Sequence, residues 1–108
     1  MQLHRKVKNG CASQEDRGPN RVGIEPEPLC TLETSEETVA FLLETFADFP
    51  DDESVLRRRL GINYDCCHLA VEFEEASEAL GRIEKAGIRM SKIHLSSALR
   101  LKPPTALR

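Results

Sequence analysis

Three short runs with the residue content of strands recur along the chain, and each is separated from the next by a stretch with helical periodicity. Arg21-Val22-Gly23-Ile24 comes first, Gly61-Ile62-Asn63-Tyr64-Asp65 second and Ile88-Arg89-Met90-Ser91-Lys92-Ile93-His94-Leu95 third. Glu25-Pro26-Glu27-Pro28 ends the first run, because proline has no N–H to give to a sheet ladder. Thr34-Ser35-Glu36-Glu37 then reads as a capping box, with Val39, Leu42, Leu43, Phe46 and Ala47 behind it on one helical face. Pro50-Asp51-Asp52 breaks that helix, and a second short one is expected from Glu53 to Arg59. Ala76, Ala79, Leu80 and Ile83 mark a further helix over 76–85, closed by Gly87 in the C′ position. No Asn-Gly hairpin joins two strand candidates. Such alternation argues for parallel strands joined by right-handed crossovers, so the fold class is α/β.

The 108 residues, 40% of them hydrophobic, suffice for one small domain. Segment 1–20 is polar, carries Asn9-Gly10 and Gly18-Pro19-Asn20 as turn signals, and is expected to be irregular. The ordered domain is expected over 21–102, with 103–108 as a tail. A formal net charge of −3, with both signs interspersed, gives no basis for a nucleic-acid or membrane partner. His4, Arg5, Lys6 and Lys8 are not followed by an apolar run, so no secretory leader is read there. Reduced thiols are the better expectation for the four cysteines, two of which, Cys66 and Cys67, are adjacent. A cytoplasmic location follows from these readings.

The chemistry-bearing residues fall at the strand ends. Glu25 ends the first strand, Asp65 ends the second and His94 lies near the end of the third. In a parallel sheet all C-terminal strand ends share one side, so the three side chains are expected to converge on one rim, where (β/α)-barrels keep their active sites. Two carboxylates and an imidazole suit a divalent ion such as Mn²⁺, Mg²⁺, Co²⁺ or Zn²⁺. Taken singly, each has a plainer role: a solvated loop acid, an N-cap and a core histidine. Their joint placement at three strand ends favours the metal reading. His68, three residues after Asp65, is placed in a βα loop to face the rim and touch substrate, or to bond within the loop. Arg100, six residues after His94, is placed to hold a substrate hydroxyl or phosphate, or to sit at the surface. Cys66-Cys67-His68 makes a weak zinc signal, since neighbouring cysteines rarely chelate one ion; both are expected as small buried hydrophobes. Glu72, Glu74 and Glu75 are expected in a solvated loop and helix N-terminus. Nucleotide-binding glycine loops and the G-x-S-x-G pattern are absent, so nucleotide binding and serine hydrolysis have no support.

Gly23-Ile24-Glu25-Pro26-Glu27-Pro28, Tyr64-Asp65-Cys66-Cys67-His68-Leu69-Ala70-Val71-Glu72-Phe73 and Lys92-Ile93-His94-Leu95-Ser96-Ser97-Ala98-Leu99-Arg100 resemble the xylose-isomerase-like TIM-barrel superfamily. Within it the chain looks most like the EboE-type metabolite traffic proteins, which are sugar phosphate isomerase/epimerase-like. The resemblance covers roughly residues 21–102 and implies a partial (β/α)8 TIM barrel holding strands five to seven. It implies Glu25 as a metal ligand and one catalytic acid/base, Asp65 and His94 as metal ligands, and His68 and Arg100 as substrate-binding residues. The implied reaction is proton abstraction beside a carbonyl of a sugar-like or secondary-metabolite substrate, with the metal stabilising the enediolate. A whole barrel takes about 250 residues, and the strand expected to supply the second glutamate would begin after Arg108. The expectation is therefore a fragment with an incomplete divalent-metal site, inactive alone. A different class of protein remains open: a non-catalytic interaction or assembly module that self-associates through open sheet edges.

Overall fold

The computed structural model describes residues 20–103; the irregular course expected for segment 1–20 and the tail expected over 103–108 lie almost wholly outside the described residues. Strand β1 (Val22–Ile24) leads through a loop to helix α1 (Ser35–Asp48). A single 3₁₀ turn (Pro50–Asp52) and helix α2 (Glu53–Arg59) carry the chain to β2 (Leu60–Asp65). Helix α3 (Cys66–Val71) follows at once, then α4 (Ala76–Lys85) and β3 (Arg89–His94). The sheet runs β1-β2-β3, and both pairings are parallel. The α/β class and the parallel order thus match the expectation from the strand–helix alternation.

Local chemistry sets most of these boundaries. Thr34 Oγ1 accepts from the Glu37 N–H while the Glu37 carboxylate accepts from the Thr34 N–H, completing the capping box. Those backbone hydrogen bonds, from Glu33 and Thr34, hold the Glu37 carboxyl below its ordinary value. At the far end of α4, Gly87 takes φ +65°. Its N–H donates to the Glu84 carbonyl and the Ile88 N–H to the Ile83 carbonyl, closing the helix with Ile83 and Ile88 both in the core.

The helices cover one face of the sheet. Val39, Leu42 and Phe46 of α1 meet Ile62 and Tyr64 of β2, Leu69 of α3, Ala79 and Ile83 of α4, and Ile88. The stripe that α1 buries runs Ser35, Thr38, Val39, Leu42, Phe46, whereas Leu43 and Ala47 are exposed. That is a correction to the apolar face read from the sequence, and its cause is the seat of the helix start. Glu74 accepts from both the Ser35 N–H and the Ser35 hydroxyl, and Arg82 donates to that hydroxyl, so the first turn of α1 is drawn into the structure. Glu74 is correspondingly not solvated: 14% of its side chain is exposed. The acidic run therefore splits, with one member serving as a part-buried strut.

Central β2 is buried almost throughout, while β1 and β3 each leave one edge unpaired among the described residues. Ile93, Leu95, Leu99 and Leu101 lie exposed on and beyond β3. Among the described residues no helix is long and apolar enough to cross a membrane.

Candidate metal centre

The face of the sheet turned away from the helices is built from small and polar residues. Gly61 is required there by close approach, since a Cβ at that position would fall 2.4 Å from the Arg89 carbonyl oxygen and from Ser91 Oγ. A Cβ on Gly23 would touch both Asn63 and Ser91. Parallel pairing sets the register so that Asp65 lies opposite His94, after an irregularity between Ile62 and Asn63 that shifts β3 by one residue past Ser91. Without that shift His94 would sit on the other face from Asp65, because side chains alternate along a strand.

At the C-terminal rim the three expected ligands meet. One oxygen of Glu25, one of Asp65 and one nitrogen of His94 all lie within 4.8 Å of one another. His94 Nδ1 is 3.1 Å from Asp65 Oδ2 and 3.8 Å from Glu25 Oε1. Donors around a tetrahedral ion with bonds near 2.1 Å stand roughly 3.4 Å apart, so the set matches a single divalent ion after small side-chain adjustments. The fit rests on these three donors.

Each carboxylate has one oxygen tied to groups other than His94, while Asp65 Oδ2 shares a hydrogen bond with His94 Nδ1. Glu25 Oε2 accepts from Asn63 Nδ2. Asp65 Oδ1 accepts from the Ser96 hydroxyl and from the Cys67 and His68 N–H groups, at 3.0 Å and 3.3 Å for the last two. Burial by itself pushes the Asp65 carboxyl up. The bonds from Ser96, Cys67 and His68, with the His68 charge, outweigh it and hold the group well below the usual carboxylate range. Asp65 is thus ionised at neutral pH and is at once the N-cap of α3 and a candidate ligand.

His68 does face the rim, but from the first turn of a helix rather than from a loop. The six-residue helix α3 was not expected, because Cys66–Val71 is too short to show periodicity, although the N-cap weighed as the plainer role of Asp65 is present. His68 Nδ1 stands 3.1 Å from Glu25 Oε1, yet the angle is wrong for a hydrogen bond, and that nitrogen is buried without a partner. Cys66 packs against the core as expected. Cys67 does not: its sulfur joins Asp65 and His68 in a second group of possible donors. Arg100 is exposed on the strand-free segment after β3, with no polar contact to Glu25, Asp65 or His94. Asn63 and Ser96 are the site residues that sequence reasoning missed. The alternation of β2 places Asn63 beside Asp65's face, a signal that was legible. Ser96 had none.

Comparison of the chain with protein-family models, with curated proteins and with solved structures finds no match in any of the three.

Proposed function

We propose that this chain forms three strands of a (β/α)8 barrel of the sugar isomerase/epimerase kind and carries most of its divalent-metal site. The observation that supports this most is that Glu25 Oε1 and Asp65 Oδ2, from two different strand ends, both approach Nδ1 of His94. Glu25, Asp65 and His94 would hold Mn²⁺, Mg²⁺, Co²⁺ or Zn²⁺. When bound, such an ion supplies Lewis acidity toward the carbonyl and hydroxyl oxygens of a sugar-like or secondary-metabolite substrate.

Around it the chain's own groups divide the work. Glu25 takes part in proton transfer beside the carbonyl as well as in holding the ion, and Asn63 orients its carboxylate through Oε2. His68 lies next to Oε1 and orients a substrate hydroxyl, with Arg100 reaching the outer part of the substrate. Isomerisation by paired acid/base groups needs a second glutamate beside Glu25. Among the described residues the rim's other carboxylate, Asp65, is a candidate ligand instead. The chain is accordingly a fragment of such a barrel and inactive alone. A cytoplasmic setting, with free thiols, suits the site.

Isothermal titration of the full chain with Mn²⁺, on wild type and on Asp65→Ala, tests the reading. Binding heat in wild type that disappears in the variant is expected; equal, negligible heats in both would remove the metal site.

The exposed Ile93, Leu95, Leu99 and Leu101 beside an unpaired β3 edge favour a second reading, an assembly module that pairs its edge with another chain. Sedimentation separates the two readings, because a monomer at high concentration leaves edge pairing without support.

A further inference from the structure

We propose that Asn63 and Ser96 are positioning residues which hold back one oxygen of each carboxylate, so that the rim presents two one-toothed carboxylates and an imidazole and takes Zn²⁺ or Co²⁺ while refusing Ca²⁺. The proposal rests on the metal reading above and goes on to name the class of ion and the groups that select it.

Both carboxylates turn one oxygen to a tether and the other to His94. Glu25 Oε2 is engaged by Asn63 Nδ2, and its other oxygen, Oε1, faces His94. Asp65 Oδ1 is engaged by Ser96 Oγ and two backbone N–H groups, and Oδ2 faces the same nitrogen. Asn63 is 8% exposed, its Oδ1 has no hydrogen-bond partner, and its contact to Glu25 joins residues 38 apart in sequence. A buried amide with half its capacity unused is costly. Placing one next to a carboxylate makes sense where the orientation of that carboxylate matters. An ionised carboxylate only accepts, so it is the NH₂ end of Asn63 that faces Glu25.

Coordination chemistry then favours one class of ion. Ca²⁺ wants six to eight oxygens and readily takes carboxylates through both atoms, which the two tethers deny it. Mg²⁺ also prefers oxygen and water to imidazole. Zn²⁺ and Co²⁺ accept low coordination numbers and bind imidazole well.

The two tethers are unequal. Asn63 alone holds Glu25 Oε2, whereas Asp65 Oδ1 keeps two backbone donors when Ser96 is lost. The test is Co²⁺ binding by the full chain, read from the visible absorption of the ion, with Ca²⁺ as competitor. Wild type should give the intense spectrum of four- or five-coordinate Co²⁺, undisplaced by excess Ca²⁺. Asn63→Ala should lose about 10- to 100-fold in Co²⁺ affinity, weaken the spectrum as the freed oxygen enters the coordination shell, and let Ca²⁺ compete. Ser96→Ala should shift in the same direction by a smaller factor, and Ser96→Thr should restore wild-type behaviour. Asn63→Leu, of similar volume but without a donor, serves if Asn63→Ala does not fold, and should lose affinity as well. Folded Asn63 and Ser96 variants with unchanged affinity and spectrum would overturn the proposal while leaving Mn²⁺ binding, and so the functional reading, in place. Displacement of Co²⁺ by Ca²⁺ in wild type would overturn it too. A wild type that binds no divalent ion would take down both.

Discussion

The two faces of β2 are built from alternate residues of one six-residue strand, and they obey different rules. Ile62 and Tyr64 point into the helices and lie in the core. Gly61, Asn63 and Asp65 are just as buried by their neighbours, yet that face contains no apolar side chain and leaves Asn63 Oδ1 and Ser91 Oγ without hydrogen bonds. The first face is stabilised by removing hydrocarbon from water, at about 25 cal/mol per Å². The second keeps polar groups at a place where they lower stability unless something uses them. Stability and chemistry are thus segregated across one strand, and mutations on the two faces should separate them.

The largest effect is expected on the helix side. Ile62→Ala should destabilise by about 2–5 kcal/mol through a cavity in the core, with a proportionate fall in the denaturant midpoint. A loss below about 1 kcal/mol would mean that the helix layer packs loosely and that the contrast is weaker than drawn. On the polar side Gly61→Ala should cost about 1–3 kcal/mol by forcing β2 and β3 apart at Arg89 and Ser91. Chemical shifts confined to that face would place the strain.

Asp65→Asn removes charge without shape. In the metal-free chain the folded-state value of Asp65 lies below its unfolded value near 3.9. Its contribution is therefore present above about pH 4 and is lost as the pH falls through the lowered value. The variant should be less stable than wild type at pH 7 by about 1–2 kcal/mol, and the gap should close on acidification. Melts at pH 7 and below pH 3 would show whether it does; a gap constant with pH would exclude ionised Asp65 as its source. Glu25→Gln, at the end of a strand and part exposed, should change stability by less than about 0.5 kcal/mol and yet abolish the heat of Mn²⁺ binding. The smallest change in stability is expected for Leu99→Ser, where the side chain is 99% exposed. Its readout is association by sedimentation, and a fall would favour edge pairing.

Much of this chain could be read before its structure. Helix α2 and helix α4 begin and end where proline, the apolar period and Gly87 placed them, and Glu25, Asp65 and His94 meet as the strand ends implied. These features depend on neighbours in sequence or on the single rule that parallel strands finish on the same side. What stayed hidden depends on partners far away. The turn of α1 toward Ser35 and Thr38 follows from Glu74 and Arg82, 39 and 47 residues on. The tether of Glu25 follows from Asn63, and that of Asp65 from Ser96, 31 residues beyond it. Sequence by itself determined the order of the elements and the side on which the strand ends lie, because periodicity and capping are local. The register irregularity past Ser91 was needed to turn His94 to the face of Asp65. Tertiary structure alone decided which oxygen of each carboxylate turns toward His94, because a hydrogen bond between distant residues has a length and an angle that no local pattern carries.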